Sequence, residues 1–464
     1  MKKVYKSVDY LDKKCYEQYS LSEEILQEHA ALALKKEIKK QKNISSILIV
    51  CGSGNNGADG IALARLLQEE YVITLCILDA PKSPMAKVQL NRALKLDIEI
   101  VNMLPSKKYD LIVDCIFGSG LNKELNGFYI DIITTLNSKS SLKLSCDIPS
   151  GIDSSGIPSP IAFRADITIT MGAIKLSLLS DIAKEYIGKL KVANLGLDSS
   201  KYEEKTNFYY LEKKDLSLPF RTKHSSHKGS FGHVLVVTGD KIGASLLSSK
   251  ASFILGAGLV SLLTHDDTIS LPIHLLRTHK IPYNTTAIAI GMGLGNYEKN
   301  EIKEILNQNI AKVCDADLFY DELILDILDQ ENLVLTPHPK EFVSLLKLTN
   351  LADIDIKTLQ ENRFFYCGLF TQAYPKVTLL LKGANMIIAK NDKLFINALG
   401  SSVLSQGGSG DVLSGFIASY LAQGYDALHS AINGSLALAL SAKKYKFNNF
   451  SLKPQDLIKG VKKI

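Results

Sequence analysis

Residues 46–60 read SILIVCGSGNNGADG. An apolar run breaks at a glycine turn, and Gly52, Gly54 and Gly57 spell G-x-G-x-x-G. A strand that turns through glycine into a helix is the opening unit of a parallel α/β sheet. The free N–H groups at such a helix start suit a phosphate, whatever reaction follows. Asp79 closes the next apolar run, YVITLCILD, about 20 residues on, where a nicotinamide-binding unit keeps its ribose ligand. The loop itself is less ordinary. Asn55, Asn56 and Asp59 crowd it; a plain pyrophosphate cradle has no use for them, and an aspartate there repels phosphate.

The pattern extends outward from this turn. SSILIVC, VITLCILD, YDLIVDCIFG, LKLSCDIP and ADITITMG are continuous apolar runs, as strands covered on both faces must be. They predict a doubly wound α/β sheet of the Rossmann type. The first 40 residues read as helix, with LSEEILQEHAALALKKEI carrying apolar positions three and four apart. Between 200 and 228 the chain turns polar and is interrupted by Pro219, which predicts a boundary near 205–220 and domains over 1–210 and 220–464. A second α/β alternation follows in HVLVVTGD, GLVSLLT, TAIAIGMGLG, KVCDADLF and NLVLTPHP. The run VTLLLKGANMIIAKNDKLFIN predicts a hairpin across AKNDK.

The bulk numbers agree with a globular chain of two or three domains: 464 residues, 46% hydrophobic and 22% charged. A net charge of +6 with scattered lysines argues against a nucleic-acid partner. The seven cysteines form no C-x-x-C and no zinc spacing, which predicts buried thiols in a reducing cytoplasm. MKKVYKSVDYLDKK lacks the apolar core of a signal peptide, and ASFILGAGLVSLL is too short to span a bilayer, so no membrane association is expected.

DCIFGSGLN sets Asp114 at the end of one apolar run, and CDIPSGID sets Asp147, Pro149, Ser150 and Gly151 at the end of another. In a parallel sheet all C-terminal strand ends open into one crevice. Asn56, Asp114, Asp147 and Ser150 could converge there, as oxygen donors for a hard cation with one carboxylate left for acid–base work. The other reading is that these are turn-forming residues only. GSGNNGADG, DCIFGSGL and CDIPSGID resemble the signature of the NAD(P)H-hydrate epimerase domain, with Ala58 where that family has a glycine. The resemblance implies a substrate site from Asn55, Asn56, Gly57, Ala58, Asp59, Gly118, Ser119, Gly120, Leu121, Asn122, Lys123 and Glu124. It also implies a potassium ion on Asn56, Asp114 and Ser150, with Asp147 as acid/base.

SQGGSGDVLSGFIASYLAQG, residues 405–424, is the strongest motif. Gly407, Gly408, Ser409 and Gly410 run straight into a helix whose first turn holds Asp411. The free N–H groups there form an anion hole for a phosphoryl group in transfer, and Asp411 is placed to deprotonate an attacking hydroxyl. With HKGSFGHVLVVTGD, IGMGLG, TPHPKEF and LLLKGANMIIA, this run resembles the ribokinase-like ADP/ATP-dependent NAD(P)H-hydrate dehydratase domain. GSSVLSQGGSGD departs from the family's pattern by losing an Asn-Pro-Gly turn. The resemblance implies nucleotide contacts from Lys382, Gly383, Ala384, Asn385, Met386 and the loop Gly407–Gly410. It implies contacts to the hydrate from Ala251, Gly293, His338 and Asp411. Read alone, His338 between two prolines is a rigid loop residue, Lys382 a solvated strand end, and the pair His224 and His227 a linker face or a metal pair.

Together the two resemblances imply a bifunctional repair enzyme. One domain interconverts the R and S epimers of NADHX and NADPHX. The other dehydrates the S form with Mg²⁺ and ADP or ATP; a homo-oligomer is expected. The rivals are a small-alcohol kinase fused to a non-catalytic Rossmann-like module, and the dehydrogenase that the glycine fingerprint alone would suggest.

Overall fold

The computed structural model describes residues 1–121 and 123–464. The chain divides into two compact units, Lys3–Thr206 and Asn207–Ile464 with Met1–Lys2.

In the first unit the strands are β1 (Lys2–Tyr5), β2 (Ser46–Cys51), β3 (Val72–Ile77), β4 (Glu99–Val101), β5 (Leu111–Cys115), β6 (Leu142–Cys146), β7 (Ile167–Met171), β8 (Ile174–Lys175) and β9 (Lys189–Ala193). One all-parallel sheet has the order β4-β3-β2-β5-β6-β7-β9. Short β1 pairs in parallel with β8. The order reverses between β2 and β5, so the crevice beyond their C-terminal ends is the expected ligand position. Ile47, Leu48, Ile49 and Val50 have no exposed surface. Ile47 and Ile49 face helices Glu23–Ile38 and Asn55–Leu67, while Leu48 and Val50 face helix Gly127–Ser138. Burial on both sides is why this strand carries no polar alternation.

The glycines of the opening turn do different work. A Cβ on Gly52 would lie 2.2 Å from the Ile116 carbonyl oxygen, and one on Gly57 2.0 Å from that of Gly52, whereas one on Gly54 meets nothing within 4 Å. The outer two let helix Asn55–Leu67 sit tightly on the strand ends.

The N-terminal stretch read as helix differs in detail. It opens with β1 and then forms two helices, Asp9–Tyr19 and Glu23–Ile38. The break falls at Ser20, in the left-handed region at φ 54°, and Ser22 caps the second helix.

In the second unit the strands are β10 (Phe208–Tyr210), β11 (His233–Val237), β12 (Leu259–Leu263), β13 (Leu276–Thr278), β14 (Ala287–Ile290), β15 (Ala311–Cys314), β16 (Leu333–Leu335), β17 (Thr378–Leu381), β18 (Met386–Lys390) and β19 (Lys393–Asn397). The order is β13-β12-β11-β14-β15-β16-β17-β18-β19-β10. Strands β11 to β17 are parallel, and β17, β18 and β19 form an antiparallel meander. The predicted hairpin is β18–β19, turning at Asn391 with φ 54°. The run KVCDADLF is a strand only to Cys314 and continues as a helical turn, Ala316–Tyr320. Helix Ser409–Ala422 is buried from Val412 to its end, packed beside helices Ile242–Ile254 and Ala427–Ala442.

Both units are α/β, as the apolar runs require. All seven cysteines are buried. Among the described residues no helix is long and apolar enough to cross a membrane.

Candidate active sites

In the first unit a cavity of about 580 Å³ opens at the C-terminal ends of β2, β5, β6 and β7. Strand register puts Asp114 between Val50 and Ser145. Asp114 has no exposed surface. The Ser150 hydroxyl donates to it at 2.6 Å, the Ser150 N–H at 2.8 Å and the Ile116 N–H at 3.2 Å. Burial outweighs those donors and pushes its carboxyl up to about 6. Asn56 lines the cavity, yet among the described residues neither of its buried amide atoms has a hydrogen-bond partner.

Asp147 lies in the cavity wall with φ 67°, a left-handed conformation costly for a residue with a side chain. Its Oδ1 accepts from the Lys175 ammonium, from the Met171 N–H at 3.0 Å and from the Thr170 hydroxyl at 3.3 Å. Its Oδ2 accepts from the Ser119 N–H at 3.2 Å. Burial opposes ionisation here, but the Lys175 charge and these donors win and hold Asp147 below the ordinary carboxylate range. Across the cavity, burial and the Asp147 charge push Asp59 well above that range. Two carboxyls in one pocket are thus driven in opposite directions, Asp59 up and Asp147 down.

The other predicted residues divide. Ser119, Gly120 and Leu121 line the cavity, as do Gly118 and Asn55, whose amide also donates to Glu23 at 2.6 Å. Gly57 and Ala58 do not: Gly57 is pressed on Gly52, and the Ala58 methyl packs on Met85 and Ala86. Lys123 and Glu124 are exposed outside the lining, and Asn122 lies outside the described residues. Asp79 is held by the Tyr129 hydroxyl. Sequence reasoning missed Lys175 and Asp12, both in the lining. A lone lysine in the apolar run GAIKLSLL was the available signal.

In the second unit Asp411 sits in the first turn of helix Ser409–Ala422, after Gly408 at φ 91°. A Cβ on Gly410 would lie 3.5 Å from the Lys382 ammonium and 3.7 Å from Asp315 Oδ2. Lys382 follows β17 and pairs with Asp315 at 2.7 Å and with Glu341 at 3.7 Å. It is therefore a nearly buried cation, not a solvated strand end. Burial acts against its charge, but the two carboxylates hold the ammonium above its usual value. The Ser414 hydroxyl donates to Asp315 Oδ2 at 2.9 Å. Burial and the neighbouring Asp315 push Asp411 up to about 6, and burial pushes Glu341 up to about 7.

His338 caps helix Pro339–Leu348: its Nδ1 accepts from the Glu341 N–H at 3.2 Å, and its N–H donates to Glu341 Oε2 at 2.6 Å. Desolvation and Lys382 hold it below the ordinary imidazole range. The loop Lys382, Gly383, Ala384, Asn385 joins β17 to Met386 in β18, and the Lys382 N–H donates to the Pro337 carbonyl at 2.9 Å, tying the two loops together. Ser409 donates back to the Leu404 and Gln406 carbonyls, both at 3.0 Å, closing the turn that lacks Asn-Pro-Gly, with Gly407 open to its surroundings.

Gly293, at φ 66°, lies against Lys241 and Ala244 at the start of helix Ile242–Ile254. Ala251 is not brought to the site. It has no exposed surface, and its methyl would meet any Cβ on Gly415 at 2.7 Å, in the contact between two helices. A buried methyl presents nothing to a ligand. Asp315, Glu341 and Ser414 were missed, although Asp315 ends an apolar run just as Asp114 does. His227 accepts from the Gly229 N–H at 3.1 Å and caps a local turn.

Comparison with known proteins bears on both units. Residues 23–177 match the model for the YjeF-related protein N-terminus, and residues 234–463 match the NAD(P)H-hydrate dehydratase model. The chain is 43% identical to the bifunctional NAD(P)H-hydrate repair enzyme Nnr of Helicobacter pylori, over 100% of both chains. It is 32% identical to the Nnr of Coxiella burnetii over 89% of this chain and 88% of that one. Among solved structures, the ADP/ATP-dependent NAD(P)H-hydrate dehydratase of Bacillus subtilis, co-crystallized with ATP/Mg²⁺, is 23% identical with a TM-score of 0.48, covering 56% of this chain and 98% of that one. On the full-length identity to such relatives, the chain belongs to the family of bifunctional NAD(P)H-hydrate repair enzymes.

Proposed function

We propose that the chain restores hydrated nicotinamide dinucleotides. In this reading residues 1–210 are an epimerase domain acting on the R and S forms of NADHX and NADPHX. Residues 220–464 are a dehydratase domain that spends ADP or ATP, with Mg²⁺, on the S form. A cytoplasmic homo-oligomer belongs to the same reading. The observation that supports it most is the 43% identity sustained over the whole length of both chains.

The hydrate carries a hydroxyl on ring carbon 6, beside the ring nitrogen. In the first site Asp59, protonated, gives a proton to that hydroxyl, and the nitrogen lone pair expels it as water. Water returns to the other face of the ring and loses a proton to Asp147, which its surroundings keep ionised. Asp147 then gives that proton up to solvent and solvent restores one to Asp59, so the cycle closes with no net proton taken up. The orphaned amide of Asn56 and the buried Asp114 carboxylate fit a monovalent cation, which Asn56, Asp114 and Ser150 would hold. Bound there, potassium would supply a fixed positive charge for substrate oxygens.

In the second site Asp411 takes the proton of the carbon 6 hydroxyl. That oxygen attacks the terminal phosphoryl group of the nucleotide, which lies on the N–H groups after Gly410 and near the Lys382 ammonium. Hydroxide is a poor leaving group near neutral pH and phosphate a good one. The bridging P–O bond breaks and the nucleotide leaves one phosphate shorter; phosphate then departs from carbon 6, the neighbouring carbon loses a proton to solvent, and the ring double bond returns.

The test supplies mixed hydrate epimers with ATP or ADP and measures phosphate and NADH together. Both epimers should be consumed, with one phosphate released per NADH. A stable phosphorylated product would instead favour the small-alcohol kinase. Tight NAD binding with no need of a nucleotide would favour the dehydrogenase.

A further inference from the structure

The two oxygens of Asp147 are not equivalent. Oδ1 takes all of the Lys175, Met171 and Thr170 donors, whereas among the described residues Oδ2 takes the Ser119 N–H alone. A carboxylate oxygen has room for about two good hydrogen bonds, so Oδ1 is saturated and Oδ2 retains capacity. Gly118 lies next to Oδ2: a Cβ there would come within 3.1 Å of it and 3.5 Å of the Asn56 side chain. The absence of that side chain leaves Oδ2 open toward the cavity that Asp147, Asn56 and Gly118 line.

Lys175 has no hand left for substrate. Its side chain is 1% exposed. An ammonium has three N–H donors, and these go to Asp147 Oδ1, to the Thr170 hydroxyl at 3.2 Å and to the Met171 carbonyl at 2.9 Å. Its backbone is fixed as well, because β8 pairs with β1 at Tyr5↔Lys175. The lysine is thus held from three sides, and among the described residues the one charged group it pairs with is Asp147.

We infer that Lys175 is a positioning residue of the first site, pinning Asp147 Oδ1 so that Oδ2 is the oxygen that takes the proton from the returning water. This rests on the epimerase reading of the first unit. An ion pair serving stability alone would not need to leave one oxygen open to the cavity. It would also not need the left-handed backbone at Asp147, which turns the side chain toward β7 and β8. Thr170 is a lesser member of the same clamp.

The experiment uses the full chain and follows R/S interconversion without nucleotide. Dehydration of the S form by the same preparation serves as an internal control of folding. Lys175→Met should lower kcat for epimerisation about 100-fold, within the range for a displaced acid or base, and leave KM and dehydration unchanged. Lys175→Arg should recover part of that loss. The decisive comparison is the double variant Lys175→Met with Asp147→Asn. It carries no unpaired buried charge, and it should be no slower than Asp147→Asn alone. A Lys175→Met variant with unchanged kcat, or a double variant slower than Asp147→Asn by the full factor of the lysine change, overturns the role. So does a rise in KM with kcat intact. A wild-type chain that leaves the epimers unequilibrated overturns the epimerase reading itself and this role with it, a result distinguishable from the others because it needs no variant.

Discussion

The two units seat a buried lysine against an aspartate at the end of a parallel strand, and the consequence for the reacting carboxylate is opposite. In the first unit the partner of Lys175 is Asp147, the acid/base of the proposed epimerisation, which is held below the ordinary carboxylate range. In the second, Lys382 is claimed by Asp315 at 2.7 Å, and burial together with the Asp315 charge pushes Asp411 beside them up to about 6. The residue types are the same, although the lysine is buried more deeply in the first unit, 1% exposed against 19%. What differs is which aspartate takes the lysine. A lysine given to the reacting group makes a permanent base. One given to its neighbour leaves a group poised near the pH at which it must accept a proton and return it.

The largest expected effect separates the two sites. Asp411→Asn should lower nucleotide-dependent return of NADH absorbance by about 10²–10⁴-fold and leave R/S interconversion alone, and Asp147→Asn should do the reverse. Loss of both activities from either change would break the comparison. Next comes Lys382→Met, which strands Asp315, whose side chain is 3% exposed, without its cation. Removing one partner of a buried pair costs about 3–5 kcal/mol, read as a lower midpoint in chemical denaturation. A midpoint equal to wild type would mean that the pair is not what holds these loops together.

The smallest effect is in pH. A base must be ionised, so dehydration should fall about tenfold per unit as pH drops below about 6, following Asp411. Epimerisation should persist further into acid, because Asp147 is lowered and not raised. Rates of the two reactions measured on one preparation across that range check the sign. A dehydration rate that stays flat through about pH 6 would remove the contrast.

Much of this could be read without coordinates. SILIVC, IVDC and HVLVV are buried on both faces and so consist of apolar residues almost throughout. Asp114, Asp147 and Asp411 were legible because each follows an apolar run or a glycine loop where a parallel fold opens to ligand. The edge strands were not legible. Lys189–Ala193 alternates charged and apolar residues at the margin of its sheet, and Glu99–Val101 is three residues long. Ala251 was misplaced because a small residue on an apolar helix has the same appearance whether it faces a ligand or, as here, another helix. Glu341 was hidden by its own local role, since HPKE is a sufficient helix start without any charge to meet.

Local pattern was therefore enough for two α/β sheets and the carboxylates at the strand ends, because burial on two faces and a helix entered through glycine each leave their mark within a few neighbouring residues. The pairing of lysines with aspartates left no such mark. Lys175 meets Asp147 across 28 residues and Lys382 meets Asp315 across 67. Those encounters follow from how separate strand ends pack into one crevice, and the charge each carboxyl carries depends on the resulting burial and partner, which come into being only when the chain is folded.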